Sequence, residues 1–170
     1  YIMLCAILSD TVIFKSPTCT PIDMKVVKEL AAIAGVNDFA ALGMEMFKVK
    51  SAVEGVPVRE LILRDYKPFD MYGNAVGIGQ LEVIDLAIFD SIKDDLEADL
   101  EDLRAEKNLH TACLILTDIM KEGSEILVAS VDNSIFETAF DKELVDGKVW
   151  LDGCLSRKKQ IIPFLEPAFK

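Results

Sequence analysis

Ser156-Arg157-Lys158-Lys159-Gln160 sets cations side by side shortly after the turn Asp152-Gly153. Arginine presents a planar fork that matches two phosphate oxygens, and lysine presents a compact point charge. A polyphosphate anion needs several such donors converging from a loop. The competing reading is a solvated basic stretch at a strand edge, which on residue type alone is the commoner fate of such a run. Lys67 poses the same choice between an anion contact and an exposed edge-strand lysine. Asp10 interrupts an apolar segment, and an unpaired carboxylate is costly to bury. It must reach solvent, a partner or a metal, so metal ligand and helix-end carboxylate stay open. Asp118 follows an apolar run and reads as the cap of the next turn. His110 is the single histidine, so neither a His-rich metal centre nor a Ser-His-Asp triad has support. Gly77-Ile78-Gly79 lacks the third glycine of a dinucleotide fingerprint and reads as close strand packing or a bulge.

The elements that must position these residues follow from the pattern. A hydrophobic share of 51% and a charged share of 28% describe a folded globular chain. The net charge of -11 argues against nucleic acid and anionic membrane as partners. No apolar stretch is long enough for a bilayer. The four cysteines form no CxxC pair and suggest no zinc site; a reducing, cytoplasmic compartment fits them. The chain opens inside an apolar run with no initiator methionine and reads as cut from something longer.

Residues 1–14 fit a helix or a buried strand. Thr20, Pro21 and Asp23 form an acidic capping box for a helix that stops at Gly35, and Asn37 caps the next. Residues 48–57 read as a linker and residues 58–63 as a short helix. Residues 66–71 and 76–84 form a strand pair around Tyr72-Gly73-Asn74-Ala75. Asp85 caps one long helix with Leu86, Phe89, Ile92, Leu96, Leu100 and Leu103 on a single stripe, its other face acidic and solvated. Residues 112–116 and 126–131 are strands, 133–140 a short helix and 148–151 a strand. The expected fold is α/β, a mixed β-sheet flanked by helices, because a hairpin and a helical crossover both occur.

With those residues in place, the sequence resembles the family II, manganese-dependent inorganic pyrophosphatases of the DHH superfamily. Leu8-Ser9-Asp10-Thr11 leading into Phe14-Lys15-Ser16-Pro17-Thr18-Cys19-Thr20 is similar to the family's signature segment. Gly77-Ile78-Gly79-Gln80-Leu81-Glu82-Val83 resembles its hairpin strand, and Thr117-Asp118-Ile119 its buried strand end. Ser156-Arg157-Lys158-Lys159-Gln160 with Pro163 resembles its C-terminal signature.

The resemblance implies a DHHA2-like C-terminal domain preceded by the helical tail of a DHH domain. The implied divisions are residues 1–47 for the tail, 48–57 for the linker and 58–170 for the substrate-binding domain. It implies Lys67, Arg157 and Lys158 as substrate-binding cations and Asp10 as the one metal ligand present. In such enzymes two manganese (or cobalt, or magnesium) ions activate water against pyrophosphate while the cations neutralise substrate and leaving phosphate. The early metal motifs and the Asp-His-His are missing here. This chain is therefore expected to be inactive alone and to hold no metal stably. Its implied partners are pyrophosphate or phosphate and the missing DHH domain, and the resemblance allows a homodimer. The alternatives are an exopolyphosphatase-like phosphoesterase of the same superfamily or a non-catalytic phosphate-binding or interaction domain.

Overall fold

The structure, a computed structural model, describes residues 1–170. Three helices come first: α1 (Ile2–Asp10), α2 (Pro21–Ala34) and α3 (Phe39–Lys50). The ambiguity of residues 1–14 resolves as helix followed by a turn. The Thr20–Asp23 capping box forms in both directions, and Gly35 ends α2 in the left-handed conformation. Asp38, one residue beyond the expected Asn37, caps α3 by accepting the Ala41 amide proton at 2.9 Å. The helix runs through Lys50, so it takes the first residues of the expected linker. Ser51 then pins its end to the sheet: its hydroxyl donates to the Phe47 carbonyl and accepts from the Ile84 amide.

Next come α4 (Val58–Leu63), β1 (Lys67–Met71), β2 (Asn74–Val83), α5 (Lys93–Glu106), β3 (Thr111–Asp118) and β4 (Gly123–Ser130). The chain closes with α6 (Asn133–Phe140), β5 (Lys148–Asp152) and α7 (Ile162–Leu165). The sheet order is β1-β2-β3-β4-β5. Only β2 and β3 are parallel, joined by the α5 crossover. The other pairs are antiparallel, so the sheet is mixed as expected.

Both faces of the sheet are covered, which explains why β3 is buried at every residue. On one face Leu81, Leu114, Leu116 and Leu127 pack with Leu61 of α4 and Leu96, Leu100 and Leu103 of α5. On the other face Ile78, Ile115, Ile126 and Leu151 pack with Phe136 of α6 and Leu165 of α7. Glycine at position 79 is forced by the first of these layers. A Cβ there would lie 2.7 Å from the Ile62 carbonyl oxygen, so the expected close packing at Gly77-Ile78-Gly79 is real.

The long helix expected after Asp85 is instead broken. Asp85 caps a single tight turn, Leu86–Phe89, and α5 starts afresh at Lys93. Asp90 and Ser91 sit at the break, and both residue types compete with the helical backbone for hydrogen bonds. The apolar stripe survives because Leu86, Phe89 and Ile92 still pack on the core. Periodicity records the buried face and is blind to a turn that preserves it. The N-terminal helices have a much smaller core of Leu4, Leu8, Val27 and Ala31. They leave Ile2, Met3, Ile22 and Ile33 exposed. No single helix is long and apolar enough to cross a membrane.

Candidate functional site

After α1 the backbone makes an unusual turn. Val12, Ile13 and Phe14 all have positive φ, between 49° and 65°. Each such non-glycine residue costs of order 1–3 kcal/mol, and β-branched side chains are the least suited to it. Packing holds the turn: Val12 is buried against Phe47 and Ile119, and Phe14 stacks edge-on to Phe39. Two lysines clasp it to the sheet domain. Lys15 donates to the Ile119 carbonyl at 3.0 Å and pairs with Glu122 at 2.9 Å. Lys159 donates to the Pro17 carbonyl at 2.8 Å. The third cation of the basic run thus has a structural job.

The clasped turn forms one wall of a cavity of about 600 Å³. Its lining includes Asp10, Ser16 and Thr18 from this wall, Lys67, Gln80 and Glu82 from the sheet, and Ser156, Arg157 and Lys158 from the basic loop. All four residues singled out from sequence therefore face one space.

They are not alike. The Lys67 and Lys158 side chains are exposed and have no hydrogen-bond or ion-pair partner. Asp10 is exposed at the C-terminal end of α1, where the helix dipole disfavours an anion. Its carboxylate also has no partner; only its main-chain carbonyl is used, by the Thr18 hydroxyl at 3.0 Å. Arg157 is 7% exposed and heavily engaged. Its Nη1 donates to the carbonyls of Asp65 and Ile78 at 2.6 and 2.9 Å, and Nη2 to the Asp65 carboxylate at 3.0 and 3.1 Å. No local pattern marks Asp65 as the residue that holds this arginine, 92 positions away. Asp118, by contrast, is the expected cap: buried, it accepts from the Met120 and Lys121 amides at 3.0 and 2.8 Å.

The basic loop is held in place by side chains that sequence reasoning passed over. Gln160 folds back so that its Oε1 accepts from the Leu155 and Ser156 amides and its Nε2 donates to the Gly153 carbonyl. Beneath it, buried Gln80 donates to Thr117 and to the Leu155 carbonyl, Thr117 meets Ser124, and Ser124 donates to the Cys154 carbonyl. Polar residues inside otherwise apolar strands were the available signal, since such groups are buried only with partners. The turn Arg157–Ile161 is π-helical, and Ser156 caps it by accepting from the Lys159 amide.

Other hollows are poorer anion sites because their cations are spent. One of about 520 Å³ contains Lys93, Lys142 and Lys148. Lys93 pairs with Glu125, Lys148 pairs with Glu97, and Lys142 donates to the Trp150 carbonyl. A hollow of about 750 Å³ beside Phe140 and Phe164 has Lys142 and Lys159 as its cations, both already bonded to main-chain carbonyls.

A metal pair does not fit the residues of this chain alone. The cavity has two carboxylates, and Glu82 is already paired with Lys50. No three His, Cys, Asp or Glu side chains gather into a metal-binding group. Asp10 is left as the single unpaired carboxylate in the cavity.

Comparison with known proteins accords with this geometry. The chain is 47% identical to a protein of Archaeoglobus fulgidus named "Probable manganese-dependent inorganic pyrophosphatase", over 99% of this chain and 52% of that protein. It is 45% identical to the manganese-dependent inorganic pyrophosphatase of Methanocaldococcus jannaschii, over 99% of this chain and 54% of that one. A cobalt-dependent inorganic pyrophosphatase of Clostridium perfringens is 41% identical over 95% of this chain and 29% of that protein. The chain thus spans about half the length of its archaeal relatives. A crystal structure of a Methanococcus jannaschii protein assigned to the family II inorganic pyrophosphatases superposes with a TM-score of 0.92 at 45% identity, over 99% of this chain and 54% of the other. Residues 44–168 match the DHHA2 domain model, and the chain belongs to that family.

Proposed function

We propose that this chain is the pyrophosphate-gripping part of a manganese-dependent inorganic pyrophosphatase. In this reading residues 1–47 are the tail of a metal-binding DHH domain, 48–57 the linker and 58–170 the substrate-binding domain. The observation that carries it is a single cavity in which Lys67 and Lys158 stand unpartnered beside Arg157 and opposite Asp10. A protein with a net charge of -11 repels pyrophosphate at long range, so local cations must supply the attraction.

Lys67 and Lys158 act as point charges on the phosphoryl oxygens, and Arg157 fixes orientation with its fork. They neutralise the substrate and then the departing phosphate. Asp10 would add one ligand to a metal centre completed outside these 170 residues. The exposed apolar residues of α1 and α2 suit contact with the remainder of a DHH domain. A homodimer and a cytoplasmic setting belong to the same proposal; all four cysteines are unpaired, as a reducing compartment would keep them.

Calorimetric titration of the chain with pyrophosphate tests the reading. Saturable binding is expected, weakened about tenfold or more by Lys67→Ala or by Lys158→Ala, each of which removes a charge-assisted contact. Affinity indifferent to both substitutions would refute it.

A further inference from the structure

A guanidinium has five N–H donors. In Arg157 both Nη1 hydrogens are taken, by the carbonyls of Asp65 and Ile78. The Asp65 carboxylate engages Nη2 with both oxygens, at 3.0 and 3.1 Å. Nε–H remains without a partner. It lies on the edge it shares with Nη2, the side by which a guanidinium grips a phosphate bidentately.

From this we infer that Asp65 is a positioning residue for pyrophosphate binding: it holds Arg157 end-on so that the Nε/Nη2 edge faces the cavity. The inference rests on the proposed function and adds to it the partner that orients its central cation. The chain supports this division of labour. Asp65 lies two residues before Lys67, so one short segment at the entry to β1 carries both a cation for the anion and the anchor for Arg157. The Asp65 carbonyl also accepts from the Gln80 amide at 3.3 Å, which ties the anchor to β2. Burial makes the arginine dependent on this anchor, because Arg157 has almost no solvent to compensate a lost partner.

A second role for Asp65 predicts the opposite sign. Half exposed beside a site for anions, its carboxylate could act only as a negative charge that weakens the field. Removing that charge would then tighten pyrophosphate binding. If Asp65 positions Arg157, removing it weakens binding despite the gain in positive potential.

The experiment titrates the 170-residue chain with pyrophosphate and follows both the heat and the side-chain Nε–H resonances of arginine by NMR. In the unsubstituted chain the Arg157 Nε–H signal, assigned by its loss in Arg157→Lys, shifts on binding. In Asp65→Asn and Asp65→Ala, affinity falls about tenfold and the shift shrinks, while Asp65→Glu restores part of both. Lys158→Ala weakens affinity but leaves the free-state Arg157 signal in place. Unchanged or tighter binding in Asp65→Asn, while Lys158→Ala weakens it, overturns the role of Asp65 and leaves the proposed function standing. Absence of pyrophosphate binding by the unsubstituted chain overturns both.

Discussion

Arg157→Ala should destabilise the protein, and Lys158→Ala, its neighbour, should not. Arg157 supplies the Asp65 and Ile78 carbonyls with charged donors, and the Ile78 bond lies fully inside the protein. Hydrogen bonds to a charged group contribute about 1.5–3 kcal/mol each. The Asp65 carboxylate is 52% exposed and regains water when the arginine goes, so the ion pair itself adds at most about 1 kcal/mol. The loss comes to about 3–7 kcal/mol. In a domain of this size each kcal/mol moves Tm by roughly 2–4 °C, so a fall of at least about 6 °C is expected. Lys158 is exposed and unpartnered, and its truncation should stay within about 0.5 kcal/mol. Urea unfolding followed by the fluorescence of Trp150, the single tryptophan, measures both. Equal midpoints for Arg157→Ala and Lys158→Ala would refute the assignment of Arg157 as a structurally anchored cation. Any loss of binding in Arg157→Ala must accordingly be read at a temperature where that variant is folded.

Gly79→Ala places a methyl 2.7 Å from the Ile62 carbonyl and should cost about 1–3 kcal/mol or more, seen as a lower urea midpoint. Burial pushes the Cys113 thiol up to about 12 and the Cys154 thiol up to about 11, so both should resist iodoacetamide at pH 8 in the native state, with alkylation of Cys5 and Cys19 read by peptide mass. The Thr20 hydroxyl and amide hold the Asp23 carboxyl below its usual 3.8. Because the folded value is depressed, its contribution is full above pH 3.8 and drains as pH falls through the lowered value. The stability gap between the unsubstituted chain and Asp23→Asn should therefore narrow on acidification below pH 3.8, and a gap independent of pH would contradict the capping box.

What could be read from the sequence depended on how local its cause was. The capping box at Thr20, the stop at Gly35 and the strands of the mixed sheet follow from neighbours a few residues apart. The break at Asp90-Ser91 was hidden because the apolar stripe continues across it. The left-handed turn at Val12, Ile13 and Phe14 was equally hidden, since no glycine announces it and only contacts with Phe47, Ile119 and Phe39 sustain it. For the site, residue type and family resemblance singled out Asp10, Lys67, Arg157 and Lys158, which line one cavity. Their different states were not legible. The sequence separates Arg157 from Asp65 by 92 positions and Gln80 from the Leu155 carbonyl by 75, and only the folded sheet brings them together. The run of like charges at 157–159 concealed three fates: one anchored, one free, one clasping the N-terminal turn.

A crystal structure of this chain grown with imidodiphosphate, a slowly hydrolysed stand-in for pyrophosphate, tests the central claim most directly. The account predicts the two phosphoryl groups between Lys67 and Lys158, with one held by the Nε/Nη2 edge of Arg157 and the Arg157–Asp65 contact intact. Imidodiphosphate bound instead among Lys93, Lys142 and Lys148, with Lys67 and Lys158 still free, would contradict it.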